Sequence, residues 1–169
     1  MEYWDIYDKN KQKTGRKMKR NDWCLADDEY HLSVLGVVKR NDGKFLITKR
    51  VMTKHWAPGW WEVPGGACMA DEESEDAVAR EVLEETGLDV KASGWTGGYE
   101  FTYHRENPGT GDNYFVDVYC FCGEFDESDV HAQEAETDGF MLASLEEIEE
   151  FARQGIFLHF DSIKQVFYK

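Results

Sequence analysis

Three glutamates, Glu81, Glu84 and Glu85, stand at i, i+3 and i+4 within a stretch of helical periodicity, so they are close neighbours on one surface. On a helical wheel one arc carries Ala77, Arg80, Glu81, Glu84 and Glu85, and the opposite arc carries Val78, Ala79, Val82, Leu83 and Thr86. The second arc reads as core and the first as an acidic face. Like charges at this spacing destabilise a helix unless something offsets them. Arg80 can neutralise one carboxylate. The remaining negative charge is what a hard divalent cation needs, and Mg²⁺ takes oxygen ligands while keeping several waters and sharing substrate phosphates. An acidic helix face is also often simply solvated. The residues ahead of it weigh against that bland alternative: Gly65 and Gly66 allow close backbone approach, and Glu72 can fold back toward the other carboxylates.

The elements that must position these groups can be read in outline. Trp4, Ile6 and Tyr7 suggest a strand, Asp8–Gly15 a turn, and Thr14–Arg20 a returning strand. His31–Lys39 and Lys44–Lys49 flank Asn41-Asp42-Gly43 and read as a hairpin. Val51–Gly59 is a loop, Trp60–Val63 is extended, and Pro64-Gly65-Gly66 breaks it. Ser74–Thr86 is the clearest helix, with Gly87 placed for a left-handed cap. Asp89–Ser93, Gly98–His104, Tyr114–Gly123 and Thr137–Leu142 are expected strands, and Arg105–Asn113 a loop. Ser144 and Glu147 form a capping box for a helix to Arg153, and Asp161–Tyr168 suggests a last helix. Mixed strands with a few helices imply an α/β sandwich.

Gly66, five residues, Glu72, seven residues, then Arg80-Glu81-Val82-Leu83-Glu84-Glu85-Thr86-Gly87-Leu88 resembles the Nudix box, G-x5-E-x7-R-E-U-x-E-E-x-G-U with U aliphatic. Every fixed position is filled. One departure is Asp71, where many members have glycine. The resemblance implies an α/β/α sandwich with a mixed central sheet, in which a loop–helix–loop holds Mg²⁺ or Mn²⁺. It implies Glu81 and Glu85 as the main metal ligands with Glu84 close behind, Gly66 offering its carbonyl, Glu72 supporting, and Arg80 orienting a carboxylate. It implies a pyrophosphohydrolase: water attacks phosphorus in a small phosphoanhydride substrate, and the cation lowers the pKa of that water. The base in this family often lies on a loop before the last strand, where Glu134 and Glu136 stand, and Glu136 has the more family-like spacing to the Ser144 helix start.

Substrate contacts are weaker expectations. Lys49 and Arg50 could bind phosphate. Trp56, Trp60, Tyr99, Tyr103 and Phe115 could stack on a base, although aromatics are more often core. His104 and Arg105 could reach a leaving group.

The N-terminal stretch resembles a Nudix subgroup related to isopentenyl-diphosphate isomerase. That gives a division into residues 1–30, a hairpin extension, and 31–169, the Nudix domain. It also gives a rival activity, but the isomerase needs a cysteine in the loop matching Pro64–Ala67, and Gly65 and Gly66 stand there. A non-catalytic nucleotide-sensing module is a second rival; such modules usually lose box glutamates, and none is lost here.

Length and composition set the outer limits. With 169 residues the chain fits one domain and can bury a core without disulfides. A formal charge of −15, from 34 acids against 19 bases, argues against a nucleic-acid polymer as partner. The four cysteines form no CxxC pair and read as buried thiols. No apolar stretch reaches membrane-span length and no targeting pattern opens the chain, so a cytoplasmic enzyme with no membrane partner is expected. The N-terminal strands could pair across a homodimer.

Overall fold

A computed structural model describes all of residues 1–169. Its elements run β1 (Tyr3–Tyr7), β2 (Lys13–Lys19), β3 (His31–Arg40), β4 (Phe45–Arg50), β5 (Trp61–Glu62), β6 (Gly65–Ala67), α1 (Ser74–Thr86), β7 (Thr96–Arg105), β8 (Tyr114–Gly123), β9 (Thr137–Ala143), α2 (Leu145–Arg153) and α3 (Phe160–Phe167), with one 3-10 turn at Glu127–Asp129. β1 and β2 make a separate two-stranded sheet. The other seven form a mixed sheet of order β5-β4-β3-β8-β7, with β6 paired to β3 and β9 to β4. β3 and β8 lie parallel through all ten residues of each, and β3–β4 and β7–β8 are antiparallel.

β3 sits at the centre and is apolar on both faces, as a strand covered on both sides must be. Val34 and Val38 face a core shared with Val78 and Val82 of α1. Val37 faces a second core with Ile148 of α2 and Ile163 and Val166 of α3. The result is the expected α/β/α sandwich. Gly36 marks the closest approach of α1: a Cβ there would lie 2.8 Å from Val82 and 2.9 Å from Val78. Gly87 ends α1 at φ 78°, its N–H donating to the Leu83 carbonyl. Ser144 and Glu147 form the capping box of α2.

The N-terminal hairpin has its own small core of Trp4, Ile6, Met18 and Leu25, while Tyr7 and Tyr30 belong to the α1-side core. Lys11, at the hairpin's turn, pairs with Asp117 of β8 at 2.7 Å, and Asp117 is 1% exposed. No helix is long and apolar enough to cross a membrane.

Several expectations are corrected. Asp89–Ser93 is a turn segment and not a strand; its one buried side chain, Val90, plugs the α1-side core from a loop. Gly65–Ala67 does not simply break the chain but re-enters the sheet beside β3, because glycines fit where a Cβ at position 65 would lie 2.4 Å from the Val34 carbonyl oxygen. Cys24 is exposed, on the segment after the hairpin, whereas Cys68 and Cys120 are buried. The wheel division of α1 is rotated: Ala77 is fully buried and Leu83 is 48% exposed.

Candidate active site

That rotation moves the glutamates. The buried arc of α1 runs through Ala77, Val78, Val82 and Thr86, so Arg80, Glu81 and Glu85 sit on its flank, half-buried, while Glu84 lies toward solvent. Two carboxylates are therefore pressed against the sheet edge at β6, and Glu85 has no cationic side chain beside it.

Arg80 organises the near side. It grips Glu72 with two bonds, Nε to Oε2 at 2.8 Å and Nη2 to Oε1 at 3.0 Å, and reaches Glu81 at 2.9 Å, Glu84 at 3.4 Å and the Ala67 carbonyl at 3.1 Å. Burial alone would raise Glu72, but Arg80 and the Met69 N–H overcome it and hold its carboxyl below the ordinary value. The loop stays in place because Asp71 takes φ 66°, a left-handed conformation that glycine favours and aspartate tolerates. This accounts for the departure from the family's usual glycine. Its N–H donates to Asp5 Oδ2 at 2.8 Å, and Lys17 pairs with its carboxylate at 2.6 Å.

The far side has no such cation. Glu85 accepts only the Gly65 N–H, at 3.2 Å. Burial first, and then the neighbouring charges of Glu81, Glu62 and Glu136, push it up to about 9. Burial also raises Glu81 to about 7 in spite of Arg80. Gly66 faces Glu81 so closely that a Cβ would lie 2.5 Å from Oε1. This donor set fits a hard divalent cation: oxygens only, half-buried and short of positive charge. No three acidic, histidine or cysteine side chains converge into a ready-made cage. That also suits a cation that binds through few carboxylates and keeps its waters.

Glu62 was missed by sequence reasoning. It lies on β5, paired in register with Thr48, and burial raises it despite Arg50 at 3.1 Å. Its position directly before Val63-Pro64-Gly65-Gly66 was the available signal. Glu62, Gly65 and Gly66 form one wall of a cavity of about 380 Å³, which Arg50, Trp56 and Tyr103 also line. Arg50 lies over the Trp56 ring at 5.4 Å. The other proposed contacts do not meet there. Lys49 is one residue off Arg50 on the strand and so faces the other way. Trp60 and Arg105 line a separate surface hollow, and Arg105 stacks on Tyr103 at 5.0 Å from outside. Tyr99 is exposed beyond β8, and Phe115 is core. His104 is exposed at the end of β7.

The loop before β9 packs on the end of α1, where the His131 N–H donates to the Thr86 carbonyl and the Gln133 N–H to that of Glu85. It carries both base candidates. Glu136 pairs with Lys54 and is close enough to Glu85 and Glu62 to raise both. Glu134 is exposed on the loop.

Comparison with known proteins agrees with this geometry. Residues 29–160 match the NUDIX domain. An uncharacterized Nudix hydrolase of Listeria monocytogenes is 30% identical over 168 residues, 99% of this chain and 94% of that one. The CTP pyrophosphohydrolase of Escherichia coli is 32% identical over 78 residues, 46% of this chain and 54% of that one. A solved Deinococcus radiodurans structure superposes with a TM-score of 0.69 at 21% identity, covering 90% of each chain, and shares the fold. Nudix hydrolases generally use divalent metal ions. With its box complete and its fold matched nearly end to end, the chain belongs to the Nudix hydrolase family.

Proposed function

We propose that this enzyme is a Mg²⁺-dependent hydrolase that cuts the phosphoanhydride bond of a small nucleotide, either a nucleoside di- or triphosphate or a nucleoside diphosphate joined to another group. The observation that carries this is the half-buried pair Glu81 and Glu85, with only Arg80 on the Glu81 side to offset their charge, beside a cavity whose walls run from carboxylate and glycine to aromatic rings. Glu81 and Glu85 hold the cation, Glu84 and the Gly66 carbonyl complete the set, and Mn²⁺ can stand in. Both Glu72 oxygens are taken by Arg80, so Glu72 and Arg80 orient the ligands instead of binding. Bound Mg²⁺ would neutralise phosphate oxygens and lower the pKa of the attacking water. Arg50 meets a phosphate, Trp56 and Tyr103 hold the base, and Glu136 accepts the proton of the water. Glu136 is preferred over Glu134 because its charge is among those that raise Glu85.

The isomerase alternative finds no thiol suited to it. Cys68 is buried, donates to the Glu72 carbonyl at 3.2 Å, and is pushed up to about 12 by burial. Phosphate and pyrophosphate release from a panel of nucleotides, sugar nucleotides, dinucleotides and isopentenyl diphosphate, with Mg²⁺ and with chelator, tests the reading. Release that needs Mg²⁺ and falls at least about a hundredfold in Glu85→Gln is expected. No release from any nucleotide, or isomerisation of isopentenyl diphosphate, overturns it.

A further inference from the structure

The end of the cavity away from the box is built largely by residues outside it. Trp23 belongs to the segment after the N-terminal hairpin, His31 opens β3, Tyr103 lies on β7, and Asp112 and Tyr114 flank the start of β8; all five line the cavity. Trp23 is held at φ 46°, unusual for a bulky residue, and is 41% exposed. The hold is firm. Asn113 donates to the carbonyls of Ala26, Asp27 and Glu29, and Gly109 N–H to Asp27. Gly111 lies so close to the Trp23 carbonyl that a Cβ would fall 1.8 Å from its oxygen. A tryptophan fixed in a costly backbone conformation, at a cavity mouth, with its ring only partly covered, is a surface kept for contact.

Two buried polar atoms at this end have no partner: the Tyr103 hydroxyl and His31 Nδ1. His31 is 5% exposed, stacked on Trp4 at 4.5 Å, and its Nε2 is 3.0 Å from Asp112 Oδ1. Burial lowers His31 below the ordinary imidazole value despite Asp112, which favours the neutral ring. A carboxylate only accepts, which places the single ring proton on Nε2 and leaves Nδ1 as an acceptor. An alkyl chain would leave both atoms unsatisfied and a single ring N–H can serve only one of them, whereas an exocyclic amino group brings two N–H bonds, one for each, on a flat ring that can stack on Trp23 and Tyr114. A cavity of about 380 Å³ falls within the range that holds a small ligand.

We propose that Trp23, Tyr103, Tyr114 and the His31–Asp112 pair form the base-recognition pocket, and that they select a nucleobase bearing an exocyclic amino group. This rests on the nucleotide reading above. The N-terminal segment is then part of the specificity apparatus.

Equilibrium binding of nucleoside monophosphates, which have no phosphoanhydride bond, tests the pocket independently of hydrolysis. CMP is compared with UMP, and AMP with IMP, by titration calorimetry in Mg²⁺ on the full chain. The amino-bearing member of at least one pair should bind about tenfold more tightly, as expected for one well-made hydrogen bond. Trp23→Ala should weaken that ligand by about tenfold in protein that still melts cooperatively, the ring being 41% exposed although its edge packs on Trp4 and His31. Tyr103→Phe, which keeps the ring, should shrink the amino preference. Equal binding within both pairs, or unaltered affinity in Trp23→Ala, overturns the proposal even if nucleotides are hydrolysed. Amino-selective binding without any phosphate release would leave the pocket standing and sink the hydrolase reading instead.

Discussion

Glu85 is a carboxylate with a backbone N–H on one oxygen and only other carboxylates around it, and its chemistry follows from that company. Free Glu ionises near 4.5, but the folded chain holds the proton of Glu81 up to about 7 and that of Glu85 up to about 9. Between 4.5 and those values the native state keeps protons that the unfolded chain has lost, so stability falls as pH rises through the window. Above the ordinary histidine range, where the lowered His31 and His159 no longer add stability with rising pH, thermal melts in chelator should therefore decline from about pH 7 to pH 9, and the stabilisation by Mg²⁺ should grow over the same range. A flat profile in chelator would contradict the burial described for these groups. The box residues were legible at this scale because their spacing is fixed. Glu62 was not, since a lone glutamate before a turn carries no periodicity. Lys49 and Arg50 were both expected at phosphate; that only Arg50 lines the cavity depends on strand orientation, which a one-residue shift reverses.

At the scale of elements, the site is a contact between β6 and α1, and its closeness depends on glycine. Gly66→Ala would drive a methyl into the Glu81 carboxyl. The Mg²⁺ concentration needed for half-maximal activity should rise about tenfold or more, and an unchanged Mg²⁺ titration would show that Glu81 has room to move aside. The loop from His131 to Glu136 is the second element of the site. Glu136→Gln should lower kcat by about 10²–10⁴, while Glu134→Gln should leave it near the wild-type value. Equal losses in both variants, or none, would remove Glu136 as the base. Helix α1 and the α2 capping box could be read ahead because local signals determine them: apolar periodicity, Gly87, and Ser144 with Glu147. The rotation of α1 could not. Which arc a helix buries is decided by its partner, here Gly36 of β3, which admits Val78 and Val82 more deeply than a wheel assumes. The strand expected at Asp89–Ser93 failed for a similar reason: Val90 was a core residue without a neighbouring strand to pair with.

For the whole molecule, the N-terminal hairpin is joined to the domain through Asp117. Lys11, Ser74 and Thr102 all reach this carboxylate, at 2.7, 2.6 and 2.6 Å, and so link the hairpin, the start of α1, β7 and β8. Lys11→Ala removes the only cation on a nearly inaccessible carboxylate. Because Lys11 itself is one-third exposed, a loss of about 2 kcal/mol is expected, below the full value for a buried pair. That corresponds to a melting temperature roughly 4–8 °C lower. Calorimetry checks it, and an unmoved transition would mean that the two hydroxyls suffice. None of this connectivity was visible in sequence. The hairpin could be read from its alternation, but its tie to β8 crosses most of the chain.

The parallel ladder between β3 and β8 has a consequence for synthesis. β3 is apolar on both faces and has its long neighbour far downstream. While the ribosome is still making the intervening chain, the central strand has no parallel partner and its unpaired edge is open to other chains. The box helix can form early, but the β3–β8 ladder of the sheet it packs on is completed only after Gly123 has emerged.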